Sequence, residues 1–296
     1  MKPKHLQLLF LLILAVIMHS CNFNKSVNTN LLTGLTTVGD GLSCDDVYLS
    51  IAEGQIQRNT YTYGEEFDLN FSDISGFTKV GEAVFPGLTL QVTSEAGDVV
   101  METDDLYASY TEGMNFSPLL LAATLTVATP IQSGSNYTLS VKIWDKEGSG
   151  TLTAKMPFNV VADDRIEIEL NQTSCTEVYL FSGNSNEVIT DHEAAFDEEV
   201  YLIFEGLTGF TEQDGQVFIG MSLHATDNAG EIILENDDML EEYDEDGISA
   251  ADLKDQVFAN IVFTKGVLTN PVHIEVTVYD KEGDASIMAN TDLSVY

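Results

Sequence analysis

The chain contains an internal duplication, and this feature limits its fold more than any other. Residues 63–110 align without gaps with residues 196–243, and WDKEG at residues 144–148 returns as YDKEG at residues 279–283. Identical residues at matching positions are Glu65-Glu66 and Glu198-Glu199, Gly76-Phe77-Thr78 and Gly209-Phe210-Thr211, Val84-Phe85 and Val217-Phe218, and Asp104-Asp105 and Asp237-Asp238. Each copy has the length of an ordinary domain, so the sequence predicts one domain repeated in tandem.

We call residues 31–164 copy one and residues 165–296 copy two. In residues 137–144, and again in residues 272–279, every second side chain is apolar, which is typical of a strand with one face in the core. The Asp and Gly of the DKEG segment then supply a hairpin turn. Strands are predicted in copy one, with equivalents in copy two, at residues 47–52, 65–73, 84–93, 98–103, 122–129, 137–145 and 151–161. The sequence therefore predicts an all-β fold of two tandem sandwiches with about seven strands each.

Each copy also has a crossing segment between its hairpins, for which the sequence predicts a short helical turn. In copy one, Ser117 and Pro118 have the pattern of an N-cap followed by a first-turn proline. In copy two, Ser249 and Asp252 resemble a capping box with Asp in place of Glu.

The last hairpin carries a resemblance to a known fold family. The segment SGSNYTLSVKIWDKEGSG, residues 133–150, resembles the last hairpin of bacterial immunoglobulin-like domains, and GEEFDLNF, residues 64–71, is similar to their second strand. The pattern over residues 31–296 resembles surface or periplasmic lipoproteins of the Bacteroidota. The resemblance implies two immunoglobulin-like sandwiches, and its motifs belong to the fold rather than to chemistry. The chain departs from the family in lacking a cysteine pair between the sheets of either copy.

The N-terminal residues have the pattern of a lipoprotein signal peptide. Lys2 and Lys4 precede the apolar run of residues 6–18, which is too short for a transmembrane helix. The following MHSC resembles the lipobox of bacterial lipoproteins in the loose form of the Bacteroidota. The resemblance implies that residues 1–20 are removed and that Cys21 carries a lipid. The alternative is an ordinary signal peptide followed by a chance cysteine.

Residues 21–30 are polar and lack periodicity, so the sequence predicts a flexible tether after the lipid anchor. In the resembled lipoproteins, acidic residues directly after the lipidated cysteine are a surface-export signal. The first acidic residue here is Asp40. The resemblance therefore implies an outer-membrane lipoprotein that faces the periplasm, in preference to the cell surface.

The chain is strongly acidic, which limits its partners. It has 12 basic and 48 acidic side chains, and removal of residues 1–20 takes away two lysines and no acid, which leaves a formal charge of −38. Such a field repels nucleic acid and anionic lipid headgroups. It suits a cation or a basic protein partner.

Acidic residues of the crossing segments are candidate calcium ligands, because Ca²⁺ takes several oxygen ligands from one compact loop. Three acids of copy two recur at equivalent positions in copy one and are the better candidates: Glu235, Asp237 and Asp238, with Glu102, Asp104 and Asp105. The spacing of a calcium-binding loop is absent, so a solvated acidic surface, or capping of turns, is the alternative.

Two aromatic residues and two cysteines occupy equivalent positions in the copies. Trp144 and Tyr279 fall on the outward register and could stack on a sugar or anchor a partner. The alternative is that each ring lies flat over its cross-strand neighbour.

Cys44 and Cys175 could form a disulfide in an oxidising envelope if the two domain starts lie within about 7 Å. Two buried free thiols are the alternative.

Catalytic motifs are scarce. His192, His224 and His273 all lie in copy two without the spacing of a zinc site, and the chain has no Gly-x-Ser-x-Gly sequence. The sequence therefore predicts no enzyme but a lipid-anchored binding or assembly protein of the cell envelope, with an envelope protein as its partner. A carbohydrate-binding lipoprotein that uses the exposed aromatics and a hydrolase on a sandwich scaffold are the two alternatives.

Overall fold

The computed structural model describes residues 25–266 and 268–296. The predicted signal peptide, the lipidation site Cys21 and the first residues of the predicted tether lie outside the described residues. Within the described ranges, no helix is long and apolar enough to cross a membrane.

Copy one, with the residues just before it, folds into two sheets that face each other. The strands are β1 (Lys25–Thr29), β2 (Thr36–Asp40), β3 (Asp46–Ile51), β4 (Gly54–Ile56), β5 (Thr60–Thr62), β6 (Glu66–Ser72), β7 (Pro86–Ser94), β8 (Val99–Glu102), β9 (Leu121–Thr126), β10 (Ser135–Asp145) and β11 (Thr151–Val161). One sheet has the order β1-β2-β11-β10-β7-β8, with β5 parallel to the end of β11. The other has the order β4-β3-β6-β9, and its neighbours are antiparallel.

Copy two repeats this arrangement. Its strands are β12 (Glu167–Asn171), β13 (Glu177–Ser182), β14 (Glu187–Val188), β15 (Glu193–Ala194), β16 (Glu199–Glu205), β17 (Glu212–Gln213), β18 (Gln216–Val217), β19 (Ile219–Asp227), β20 (Ile232–Asn236), β21 (Ile248–Ser249), β22 (Gln256–Val262), β23 (Val272–Asp280) and β24 (Ser286–Val295). The main sheets have the orders β12-β24-β23-β19-β20 and β14-β13-β16-β22, and β17, β18 and β21 form a small third sheet. The chain is therefore all-β, with two β-sandwiches in tandem.

The predicted alternation places the core in both copies. In β10, Tyr137, Leu139, Val141 and Ile143 are buried while the residues between them face outward. β23 has the same pattern in copy two. The seven strands predicted for copy one are all present, with ends shifted by at most about three residues. The predicted number is too low, because β1, β2, β4 and β5 are additional short strands of the two sheets.

The predicted helical turns are wrong for copy one and right for copy two. Helix α1 (Ala250–Asp255) begins after Ser249, whose hydroxyl accepts a hydrogen bond of 3.0 Å from the N–H of Asp252. A single 3₁₀ turn, Glu241–Tyr243, precedes it. In copy one the described backbone at Ser117 and Pro118 forms no helix. There the carbonyl of Leu119 accepts a hydrogen bond of 3.0 Å from the N–H of Ile74. This bond to another segment replaces the hydrogen bond that the carbonyl would accept within a helical turn.

Part of the predicted flexible tether is a strand. β1 pairs antiparallel with β2, from Lys25 opposite Asp40 to Thr29 opposite Thr36. The side chains of residues 26–29 are all exposed, so neither face of this strand is buried. A strand of this kind has no alternation of apolar and polar residues by which its sequence could reveal it.

The two sandwiches share a buried contact. In β13, Val178 and Leu180 face the core of copy two, whereas Tyr179 belongs to the core of copy one, together with Ile203 of β16. Phe181 packs against the same core. The outer face of one sheet of copy two thus closes one end of copy one.

Candidate functional site

The repeated DKEG segment is a hydrogen-bonding centre in copy one. Asp145 is buried, and its Oδ2 accepts a hydrogen bond of 2.7 Å from the N–H of Thr78, while Oδ1 accepts one of 3.1 Å from the N–H of Glu147. Thr78 belongs to the repeated Gly-Phe-Thr sequence. The aspartate therefore joins two duplicated sequences that are 67 residues apart.

Copy two has the same contacts at the equivalent positions. Oδ2 of the buried Asp280 accepts from the N–H of Thr211 at 2.7 Å, and Oδ1 accepts from Glu282 at 2.9 Å. The repeated aspartate follows from this contact, because its replacement would leave the N–H group of the threonine without its acceptor.

The calcium candidates of copy one contribute to this corner through Asp105. Its carboxylate lies 2.6 Å from Lys146 Nζ of the DKEG segment, and its Oδ1 accepts from the N–H groups of Leu88 and Tyr107 at 3.0 Å each. Burial alone would raise the pKa of Asp105, but these hydrogen bonds outweigh it and hold the pKa below its usual value. Glu102 accepts a hydrogen bond of 3.1 Å from Gln91, and Asp104 precedes Asp105 on the same loop.

Asp238 occupies the equivalent place in copy two. It lies 2.5 Å from Lys281 Nζ and accepts from the N–H groups of Met221 and Leu240 at 3.2 and 2.9 Å. Burial again opposes these bonds, yet the pKa of Asp238 is lowered. Lys281 also pairs with Asp244.

The remaining candidates of copy two are Glu235, opposite His224 in the register, and Asp237, whose carbonyl accepts from Tyr279. Across residues 25–266 and 268–296, no three His, Cys, Asp or Glu side chains converge as ligands of a metal ion. Lys146 and Lys281 already pair with Asp105 and Asp238, and calcium binding stays a prediction.

The repeated aromatic residue lies flat over a glycine in both copies. Trp144 is opposite Gly87 in the register, and a Cβ on Gly87 would lie 2.1 Å from Trp144 Cε2. Tyr279 is opposite Gly220, where a Cβ would lie 2.2 Å from Tyr279 Cζ. Each ring covers the backbone of its cross-strand neighbour. This agrees with the alternative in which the rings pack within the sheet and not on a sugar or a partner.

Cys44 and Cys175 are free thiols, each packed against the core of its own copy. Burial raises the pKa of Cys44 to about 11, with Asp46 and Asp45 adding to the effect. Burial likewise raises the pKa of Cys175. Both thiols are therefore protonated at neutral pH, which makes them poor nucleophiles.

Between the two sandwiches lies a polar network that the sequence did not predict. The rings of Tyr63 and Tyr179 are 5.1 Å apart, between centroids. The hydroxyl of Tyr179 donates to Glu205 Oε1 at 2.6 Å, and Thr129 Oγ1 donates to Glu205 Oε2 at 3.2 Å. The Tyr63 hydroxyl lies 3.1 Å from the same Thr129 Oγ1. Side chains of both copies are therefore held in one connected set.

Glu177 adds a second polar contact between the copies. It is only 2 % exposed, and its Oε1 accepts a hydrogen bond of 2.6 Å from the N–H of Ser133 in copy one. Burial raises the pKa of Glu177 above its usual value, even though this hydrogen bond works in the opposite direction.

A cleft of about 920 Å³ is lined by residues of both copies. Its apolar floor includes Ile51, Ala128, Phe181 and Val188. Its charged residues are Glu53, Glu65, Glu66, Glu187, Asp191 and Arg58. Arg58 pairs with Glu65, and its guanidinium lies 4.9 Å from the centre of the Tyr61 ring. The only basic group of the cleft is thus neutralised, and the cleft is negatively charged.

A second cluster joins the segment between the copies to copy two. Asp163 accepts hydrogen bonds from Arg165 Nε at 2.9 Å and contacts His192 Nε2 at 3.0 Å, while His192 Nδ1 lies 2.9 Å from the carbonyl of Asp292. Burial alone would raise the pKa of Asp163, but the bonds from His192 and Arg165 lower it well below its usual value. Both ring nitrogens of the buried His192 face protein acceptors, so neither is left for a substrate.

Comparisons with known proteins give distant structural similarity alone. None of the protein-family models and none of the curated proteins compared with the chain matches it. Similar solved structures include the C-terminal domain of wzt, at 14% identity and a TM-score of 0.30 over 47% of this chain and 80% of that one. The C-terminal domain of the AgI/II polypeptide BspA from Streptococcus agalactiae has 11% identity and a TM-score of 0.26, over 83% and 99%.

A third similar structure is a Bacteroides uniformis β-glucuronidase, with 9% identity and a TM-score of 0.22 over 78% of this chain and 26% of that one. These similarities assign the chain to no family.

Proposed function

We propose that the chain is a lipid-anchored, non-catalytic binding and assembly protein of the cell envelope, in which two immunoglobulin-like sandwiches hold a protein partner in the cleft between them. The observation that carries the proposal is the insertion of Tyr179 and Ile203 of copy two into the core of copy one. This contact fixes the relative position of the two walls of the cleft. A preformed cleft between domains is a common place for a binding site.

The chemistry of the cleft favours a basic segment of the partner. Glu53, Glu66, Glu187 and Asp191 are exposed carboxylates around an apolar floor, and Arg58 is already paired. A lysine- or arginine-bearing loop would gain charge pairing at the rim and apolar contact at the floor. The same charges disfavour an anionic glycan or a nucleic acid.

The carbohydrate-binding alternative uses Trp144 and Tyr279, and it has less support. The packing of each ring on Gly87 or Gly220 is a sufficient reason for an aromatic residue at both positions. The hydrolase alternative finds no free base in His192, because both ring nitrogens of this buried residue face acceptors within the protein.

The anchor and the location complete the proposal. A lipid on Cys21 would hold the protein at the outer membrane, and the absence of acidic residues directly after Cys21 favours the periplasmic face. β1 begins at Lys25, so the folded body starts within a few residues of the proposed anchor.

The proposal is tested by partner capture from membranes with matched variants. The full-length chain would be solubilised after chemical cross-linking in cells, as wild type, as the triple variant E53Q/E66Q/E187Q, and as the control E82Q/E112Q/E212Q. All six glutamates are exposed, and only the first three line the cleft. We expect a defined cross-linked partner with wild type and control that is lost with the cleft variant. An equal yield from all three would overturn the use of the cleft.

A further inference from the structure

The two copies differ at one edge of their larger sheets. In copy one, β2 pairs with β11 on one side, with Asp40 opposite Thr151, and with β1 on its other side. In copy two, β12 pairs with β24 in the equivalent register, with Asn171 opposite Ser286. On the outer side of β12, no strand pairs with it in the part of the chain that the structure describes. Copy one thus shows a strand at the place that is open in copy two.

The side chains of the open edge also differ from those of the covered one. All five residues of β12 are exposed. Ile168 and Leu170 lie on the face of their buried partners Ala289 and Ile287, yet they are 37% and 52% exposed. Thr37, the equivalent of Ile168 in β2, is only 8% exposed. Copy two therefore presents apolar side chains beside an unpaired backbone edge.

The open edge cannot be covered by the chain segment that precedes it. In copy one, β1 and β2 form a hairpin in which Asn30 N–H donates to the carbonyl of Leu35 at 2.8 Å. In copy two, β11 ends at Val161 and β12 begins at Glu167, and the residues between them are held by the contacts of Asp163. This segment is too short to add a strand before β12.

We infer that β12 is a docking edge for an extended basic segment of a partner protein, which adds to the sheet of copy two as β1 adds to the sheet of copy one. Main-chain hydrogen bonds would provide the pairing, and alternate side chains the specificity. Glu167 and Glu169 project to the outer face, where lysine or arginine side chains of the added strand pair with them. Apolar residues at the positions between cover Ile168 and Leu170.

The charges of the edge select this occupant over a second copy of the chain. Antiparallel pairing of two β12 strands about Glu169 would place Glu169 opposite its own counterpart, which is destabilising. Copy two also carries 29 acidic against 4 basic side chains, so two such edges repel each other. The inference does not depend on the cleft, whose lining excludes all five residues of β12.

The test uses the synthetic peptide GKVKVKVKG and hydrogen exchange of the full chain. We expect the backbone amides of β12 that point away from β24 to exchange at least about tenfold more slowly with the peptide bound, while residues 25–40 stay unchanged. The same peptide methylated at every internal backbone nitrogen keeps its charge, but it lacks the backbone N–H donors of a strand and its N-methyl groups block close pairing with β12, so it should protect nothing. Protection by both peptides would show charge attraction alone and would overturn the inference.

Matched variants separate this edge from the cleft. E167Q/E169Q should weaken binding of the peptide by about fivefold, because two exposed charge pairs are lost. The cleft variant E53Q/E66Q/E187Q should bind the peptide as wild type does. The carboxylates of β12 could instead serve only to keep the edge from pairing. In that case the peptide will not slow the hydrogen exchange of the β12 amides, and the inference is wrong. If the chain forms a dimer in sedimentation experiments that depends on β12, and the peptide does not protect the β12 amides, the edge binds a second copy of the chain instead.

Discussion

Asp145 Oδ2 accepts a hydrogen bond of 2.7 Å from the backbone N–H of Thr78, and Asp280 does the same for Thr211 at the equivalent place in copy two. Each pair joins the last hairpin of a sandwich to the loop before its long central strand. The aspartate side chains are almost fully buried, so each carboxylate depends on these N–H groups for its hydrogen bonds.

Asp145→Ala should therefore lower the free energy of unfolding of copy one by about 2–3 kcal/mol, because it removes two hydrogen bonds from backbone N–H groups to a buried carboxylate. Asp145→Asn keeps one acceptor oxygen and should cost about half as much. Trp144 is the only tryptophan and lies beside the site, so its fluorescence during urea unfolding reports on copy one. An unchanged midpoint for Asp145→Ala would contradict a stabilising role.

The packing of Trp144 on Gly87 can be tested by a double-mutant cycle. Gly87→Ala should destabilise the wild-type chain by about 1–3 kcal/mol, since the added methyl group overlaps the indole ring. In a Trp144→Ala background the same change should be close to neutral, because the overlapping atoms are gone. Thermal unfolding followed by circular dichroism gives all four values. Equal costs in both backgrounds would show that the ring does not rest on Gly87.

The strands could be predicted from sequence because they have one buried and one exposed face. β13 shows where this fails. VYLS of copy one and VYLF of copy two are nearly the same sequence, but Tyr48 is half-buried at the surface and Tyr179 is buried in the other copy. Which surface covers the outer face of a strand depends on the docking of the two sandwiches. One feature of the sequence indicated this contact. Copy two has Phe181 where copy one has Ser50, which makes residues 178–181 an uninterrupted apolar run.

The candidate site was less predictable than the fold. The cleft, the Glu177 contact and the cluster of Asp163 with His192 are formed by residues of distant segments, and their spacing matches no known motif. Carboxylates that were ligand candidates, Asp105 and Asp238, prove to bind lysines of the repeated DKEG segment instead. In so acidic a chain, the sequence cannot show which carboxylates have a basic neighbour.

Burial of Glu177 predicts a pH dependence of the contact between the copies. Its pKa is raised in the folded chain, so the folded state favours the protonated form. The stability associated with that form is complete below the unfolded value of 4.5 and is lost as the pH rises through the raised value. Glu177→Gln should therefore match wild type near pH 4 and be more stable at pH 7. Melting temperatures across this range test it, with Glu112→Gln as an exposed control. A constant difference at all pH values would contradict the assignment.

Lipidation predicts that Cys21→Ala releases the protein from membranes, because the lipid is its proposed attachment. Ultracentrifugation of cell lysates measures the distribution between pellet and supernatant. Protease added to intact cells then tests the orientation: a protein facing the periplasm should be cleaved only after lysis. A Cys21→Ala variant that still sediments with membranes would refute the anchor.

Separate expression of the two halves tests how far each sandwich depends on the other. Residues 165–296 have a complete core and should fold alone, but Tyr179, Phe181 and Ile203 then become exposed. We expect this half to bind a hydrophobic dye that the full chain does not bind.

The variant Ile203→Thr should reduce dye binding by the isolated half. It should also destabilise the full chain by about 1–2 kcal/mol, because residue 203 is buried against copy one only in the full chain. Ile232→Thr, at a position that is exposed in the full chain, should change neither property. If Ile203→Thr has the same effect on stability in both contexts, copy one does not cover this residue, and the rigid cleft loses its structural basis.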